Sequence, residues 1–360
     1  MLFTNHGVTC HLKATPDNPR NSDSSMVRCA DGSLLLAYQR FDGSELRSND
    51  EAPCTISTLR SYDEGKSWVE PNVISNDKDC INVYAPNLFL KKDGKVGFIY
   101  HKNICFWEGK TTQTTLMIKE SEDNGKTFGE PRIIFDSLNY ASSGSGAIIR
   151  TSTGRLVLPL MKFSGGRCTV TEHIIAEVLY SDDDGNTWSF SRNGMDVPMR
   201  GALETYVAEA ADGTLVAVIR TQLGSMFIAR SSDMGETWSK PQTSGLIAPE
   251  SSPYITRVPN SEAMIVVWNN AEFDMHFNHS GKRNPLTIAI TYDNGKTFSD
   301  FFNVEDDPRG VFSNTTAFWL NDSEFFLTYW TCIYTDNWLM TEDTDLKQVK
   351  ISIDRTKLLK

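Results

Sequence analysis

The chain has 360 residues, with 35 Lys plus Arg against 46 Asp plus Glu, a net charge of −11. That acidity disfavours nucleic acid or an anionic membrane as the main partner, and no window is apolar enough to span a bilayer as a helix. Hydrophobic residues make up 39% of the chain, enough for a packed core.

Taken in chain order, the predicted elements repeat one plan. A small turn, Asp31-Gly32, leads into the apolar run LLLAY, and an octapeptide of the form S-x-D-x-G-x-[ST]-[WF] follows at residues 61–68. The plan returns with Asp93-Gly94, VGFIY and residues 121–128, then with Thr153-Gly154, LVLPL and residues 181–188. It returns again with Asp212-Gly213, LVAVI and residues 231–238, and with Asn260-Ser261, AMIVVW and residues 291–298, where Thr291 replaces the first serine. A sixth turn, Asn321-Asp322, precedes FFLTYW but has no octapeptide after it. The central aspartates Asp63, Asp123, Asp183, Asp233 and Asp293 are 60, 60, 50 and 60 residues apart, a period that marks a repeat architecture.

Asp-Gly and Asn-x turns between β-rich runs are hairpin signals. In each octapeptide the aspartate can accept hydrogen bonds from its own turn, glycine supplies a positive φ, and the terminal aromatic packs the turn onto its sheet. These aspartates are therefore expected to be structural. Two hairpins per unit give four strands, and six units give an all-β, six-bladed β-propeller. The alternating segment at residues 349–354 is expected to close the last blade with the N-terminal residues. No Pro/Gly/Ser linker divides the chain, so residues 1–360 read as one propeller domain, longer than the usual figure of about 150 residues per domain.

Seven cysteines (Cys10, Cys29, Cys54, Cys80, Cys105, Cys168, Cys332) are odd in number and never spaced C-x-x-C. They fit reduced thiols better than zinc or a disulfide framework. The N-terminus has no basic segment followed by an apolar one, so no signal peptide is visible. A cytoplasmic location is expected for the chain as given, or secretion if a leader was removed. His276 and His279 beside Asp274 are the one cluster that hints at metal, but they fall in a polar loop, and a solvated or substrate-lining loop is the expected reading. Neither metal nor cofactor is expected.

In a propeller, ligands sit at the mouth of the central channel, where the innermost strands converge. The starts of those strands contain Arg20 and Asp23, Tyr84, Tyr140, Glu204 and Tyr206, Glu250 and Tyr254, and Phe312 to Asn314. Carboxylates, arginine and tyrosine around one axis suggest a site for an anionic, hydroxylated ligand.

With these repeats and this ring, the chain resembles the sialidase (neuraminidase) clan, whose octapeptides are called Asp boxes. That family carries an arginine triad that clamps the carboxylate of sialic acid. Arg20 opens the first inner strand, Arg220 stands sixteen residues after Glu204 as in the family, and Arg283 stands ten residues before Asp293. Three guanidiniums on one carboxylate make charge-assisted hydrogen bonds worth roughly 1.5–3 kcal/mol each, which discriminates against uncharged sugars. The resemblance further implies that Asp50, thirteen residues before Asp63, is the acid/base, with Asp42 and Glu51 as nearby alternatives, and that Glu204 is a base or activates the nucleophile. Tyr206 and Glu250 are expected to line the same site, Glu250 also as a second candidate base. The family's nucleophilic tyrosine is missing: Phe312 stands at its expected place. Tyr206, Tyr254 or Tyr84 then takes the role, or the enzyme inverts by direct water attack, or hydrolysis is lost.

The implied activity is an exo-acting glycosidase that releases a terminal sialic acid or related ulosonic acid from an acidic glycan. A non-catalytic acidic-sugar-binding propeller and a hydrolase or lyase acting on uronic-acid polysaccharide are the alternatives.

Overall fold

The turns and apolar runs fold into six antiparallel sheets around a common axis. The computed structural model describes residues 1–43, 50, 52–104, 113–137, 140–163 and 173–359. Five sheets are built in chain order from inner to outer strand, beginning with Arg20–Arg28, Leu34–Phe41, Cys54–Ser61 and Val69–Ser75 in blade 1. The inner strands of blades 2, 4 and 5 are Asn82–Leu90, Thr205–Glu209 and Tyr254–Arg257. In blade 3 the inner strand is broken into Ala141–Ser142 and Ile149–Arg150, both paired with Leu156–Phe163. Blade 6 runs Gly310–Trp319, Glu324–Ile333, Asp345–Ile353, and its outer strand is the N-terminal Phe3–Leu12, paired antiparallel from Phe3↔Ile353 to Leu12↔Leu346. The two ends of the chain thus close the ring, as the alternation at residues 349–354 led us to expect.

The apolar runs are unbroken instead of alternating because each second strand is covered on both faces by neighbouring blades. Leu34, Leu35, Leu36 and Ala37 are each at most 1% exposed, whereas the outer strand Val69–Ser75 is exposed over its first five residues.

All five Asp boxes share one hydrogen-bond pattern. In the first, Ser61 Oγ bonds Asp63 Oδ1 (2.8 Å), the Gly65 N–H donates to Ser61 Oγ (2.8 Å), and Ser67 donates its N–H to Oδ1 (2.9 Å) and its hydroxyl to Oδ2 (2.7 Å). The glycine has a positive φ, and so does the residue before it: Glu64, Asn124, Asp184, Met234 and Asn294 lie between 56° and 63°. Each of boxes 2 to 5 is also clasped by an arginine from the preceding blade. Arg60 donates to Asn124 O (2.5 Å), Arg132 to Asn186 O (3.1 Å), Arg155 to Met234 O (3.1 Å) and Arg230 to Asn294 O (2.8 Å).

Three inner strands carry a bulge near the axis. Register shifts between Ser22 and Ser24, Tyr84 and Asn87, and Ser313 and Thr316 coincide with positive φ at Asp23 (50°), Ala85 (53°) and Asn314 (51°). Below them a cavity of about 290 Å³ is lined by residues of several inner strands, among them Ser25, Leu88, Tyr254 and Thr316.

Candidate functional site

Arg20 lies at the start of the first inner strand, its guanidinium over the Phe41 ring (4.4 Å to the centroid) and its Nη1 donating to Asp50 Oδ1 at 2.8 Å. Asp50 comes from the loop beyond the blade 1 hairpin. The buried Asn82 amide anchors that loop by donating to the carbonyls of Asp50 (2.6 Å) and Ala52 (3.0 Å). The Asp50 side chain stands in the open mouth, 89% exposed. Enclosure by the cleft walls pushes its pKa up, but Arg20 first, then Arg283 and Arg220, outweigh this and hold it below the ordinary carboxylate value. That three arginines from blades 1, 5 and 4 act on one carboxylate places them around a shared site.

Arg220 follows the second strand of blade 4. Its Nη1 donates to Glu204 Oε2 (2.7 Å), and its Nη2 reaches Glu250 Oε1 (3.4 Å) and His279 Nδ1 (3.2 Å). Burial foremost, then Arg283, Arg220 and Arg200, pushes His279 down to about 2. The ring is therefore neutral at pH 7, with Nδ1 as an acceptor. Glu250, 2% exposed, is held by Arg200 Nη1, by Arg220 and by Gln222 Nε2 (2.9 Å).

Arg283 differs from its two companions. It is 5% exposed, and among the described residues no carboxylate lies within ion-pairing distance of it, while Arg20 pairs with Asp50 and Arg220 with Glu204 and Glu250. Its guanidinium stacks over Trp330 (5.4 Å), its Nε is buried without a partner, and its N–H donates to the Tyr334 hydroxyl (3.0 Å). Burial first, and repulsion by Arg220 second, lower its pKa to about 10, so it stays charged at pH 7. A buried, unpaired guanidinium is costly, and an incoming anion relieves that cost.

The tyrosines are placed differently. Tyr206 is 3% exposed, its ring tilted against that of Tyr254 with centroids 5.0 Å apart, and donates its hydroxyl to Ser145 O (3.1 Å); Tyr254 donates to Ala317 O (3.3 Å). Tyr84 stacks on His101 at 5.3 Å, and burial pushes its pKa well up. Phe312 donates its N–H to Arg283 O (3.0 Å), so the position adjoins the arginines, and its ring is 4% exposed and edge-on to Tyr329.

His276 is solvated beside Asp274 (2.8 Å), while His279 turns to Arg220. Among the described residues no group of three or more His, Cys, Asp or Glu could hold a metal ion. Glu51, Cys105 and Cys168 lie outside the described residues. Arg200, Gln222 and Trp330 were missed by sequence reasoning, and the contact between Asp23 and Asn314, both named among the strand starts, was not foreseen. Arg200 and Gln222 reach the site from loops and Trp330 from within the second strand of blade 6, where no turn or box offset flags them.

Repeats, ring and arginines together define a propeller of the sialidase clan. The chain belongs to the family of the BNR repeat-like domain, whose model matches residues 32–327. It is 28% identical over 239 residues to a sialidase of Paraclostridium sordellii, covering 59% of this chain and 56% of the relative, so the chain spans little more than half of that protein's length. Among solved structures, a Dyadobacter fermentans protein of unknown function superposes with a TM-score of 0.75 at 17% identity, covering 98% of this chain and 99% of the other. The intramolecular trans-sialidase from Ruminococcus gnavus, in complex with oseltamivir carboxylate, superposes with a TM-score of 0.74 at 16% identity, covering 99% and 98%. At those identities the superpositions speak for the fold.

Proposed function

We propose that the protein is an exo-acting glycoside hydrolase of sialidase type, which releases a terminal sialic acid or related ulosonic acid from an acidic glycan. The observation that carries this reading is Arg283, a buried guanidinium without a carboxylate in contact among the described residues, next to two arginines aimed at the same mouth. The ligand's carboxylate completes the set. In doing so it replaces Asp50 at Arg20, and Asp50, freed from the cation that depresses its pKa, can be protonated and deliver its proton to the leaving oxygen. A second carboxylate of the ring completes the reaction, with Glu204 the candidate from the sequence, and the same carboxylates stabilise the oxocarbenium-like transition state.

Phe312 favours a second reading, an acidic-sugar-binding propeller without turnover, since phenylalanine cannot form a glycosyl bond. A panel of fluorogenic glycosides separates the two. Release from α-ketosides of ulosonic acids, with none from neutral glycosides, is expected. Binding of the free acid without release of any aglycone would leave the binding protein, and turnover confined to glucuronides would overturn the ulosonic acid assignment.

A further inference from the structure

Asp23 lies three residues beyond Arg20 on the first inner strand, at the bulge: Ser22 pairs with Gln39 and Ser24 with Tyr38, which leaves Asp23 without a cross-strand partner. Its φ of 50° lies in the left-handed region, a conformation that strains a residue other than glycine. Asn314, itself at φ 51° in the blade 6 bulge, donates from Nδ2 to Asp23 Oδ1 at 2.7 Å. Two strained bulges on adjacent blades thus meet in one hydrogen bond at the channel mouth, two residues from the place where Phe312 removes the nucleophile. Bulges in such positions re-aim side chains.

Of the four carboxylates near the arginines, three are in direct contact with a guanidinium: Asp50 with Arg20, Glu204 with Arg220, and Glu250 with Arg200 and Arg220. Among the described residues no cation lies within ion-pairing distance of Asp23, and its hydrogen-bond partner is a neutral amide. It is 8% exposed. Burial pushes its pKa upward, Arg20, Asn314 and Ser22 do not offset this, and the Glu204 charge adds to it; Cys54 and Tyr206 also face it.

Resting on the sialidase-type reading, we propose that Asp23 is the general base: it takes a proton from a water that attacks the anomeric carbon directly. The new bond joins water oxygen to the anomeric carbon as the glycosidic carbon–oxygen bond breaks. One proton passes from water to Asp23 and one from Asp50 to the leaving oxygen, so charge and atoms balance and the centre inverts. Asn314 is the positioning residue that orients the carboxylate. The base role expected of Glu204 passes to Asp23, and Glu204 holds Arg220.

The test uses the full chain and the 4-methylumbelliferyl α-ketoside of N-acetylneuraminic acid. Asp23→Ala is expected to lose turnover about 10²–10⁴-fold, while affinity for the 2,3-dehydro acid, which needs only the arginines, changes less than about threefold. Sodium azide should then restore turnover of Asp23→Ala and yield the glycosyl azide of inverted configuration, a rescue that a structural role for Asp23 does not produce. Asp23→Asn, which keeps size and the contact with Asn314, should lose turnover equally and guards against misfolding of the alanine variant. Wild-type activity in either variant, no azide product, or net retention by proton NMR of the wild-type product would overturn the assignment. Failure of the wild type to bind the dehydro acid would instead remove the sialidase-type reading, and this proposal with it.

Discussion

A general acid must be protonated when its substrate arrives, yet Asp50 pairs with Arg20 at 2.8 Å and is held ionised. On the proposed reading competition resolves this: the main chain of Asp50 is fixed by Asn82, while a ligand carboxylate would displace its side chain from Arg20. Asp50→Asn is therefore expected to depress turnover roughly 10²–10⁴-fold on substrates with poor leaving groups and to spare activated aryl glycosides. Steady-state kinetics on the two substrate types checks this, and equal losses on both would move the role to Asp42 or Glu51. At this scale the sequence was informative where offsets carry chemistry. Arg20, Arg220 and Arg283 were flagged by the resemblance to the sialidase clan, and the structure sets Arg20 beside Asp50 and Arg220 beside Glu204. Arg200, Gln222 and His279 were not assigned, since they reach Glu250 and Arg220 from loops whose course no periodicity encodes. Asp23 stood among the strand-start carboxylates, but its bulge and its bond to Asn314 leave no mark in the hydrophobic pattern.

The Asp box is the element that sets the fold's response to acid. Hydrogen bonds from Ser67 and Thr187 hold Asp63 and Asp183 at about 2, and those of Thr127, outweighing burial, hold Asp123 at about 2, against an unfolded value near 3.8. A carboxylate whose folded pKa is depressed contributes stability that is fully present above its unfolded value and is lost as pH falls through the folded one. The thermal midpoint is therefore expected to be insensitive to these groups above about pH 5 and to fall steeply between about pH 4 and pH 2, with a shallower fall in Asp183→Asn. Calorimetry across that range would contradict this if the midpoint stayed level or the variant followed the wild-type curve. The boxes themselves were plain in the sequence. The second positive-φ residue of each turn and the arginine clasps between blades were not, because the position before glycine accepts Glu, Asn, Asp and Met alike and the clasping arginines keep no single spacing, standing 54, 64 or 79 residues before the residue they hold.

At the scale of the whole molecule, the ring explains how six similar sheets make one asymmetric site. Each blade contributes its inner strand's start to the same mouth, and differences among those starts, arginine in one and glutamate in another, place unlike groups side by side. Closure of blade 6 by Phe3–Leu12 and Asp345–Ile353 ties the first inner strand to the last, which is what lets Asn314 reach Asp23 and Arg20 share a site with Arg283. Fold and ring closure could be read from repeats because repeats are local. The site is an assembly of residues far apart in the chain, Asp23 and Asn314 by 291 positions, and only the closed ring shows which of them meet.

On the proposed reading, Arg20, Arg220 and Arg283 together hold the carboxylate of the ligand. Titration calorimetry of N-acetylneuraminic acid against its neutral 1-carboxamide, on the wild type and on Arg283→Met, tests it most directly. The wild type is expected to prefer the acid by at least about tenfold, the effect of one charge-assisted hydrogen bond of about 1.5 kcal/mol, and Arg283→Met to lose most of that preference. Equal affinity of the wild type for acid and amide would contradict it.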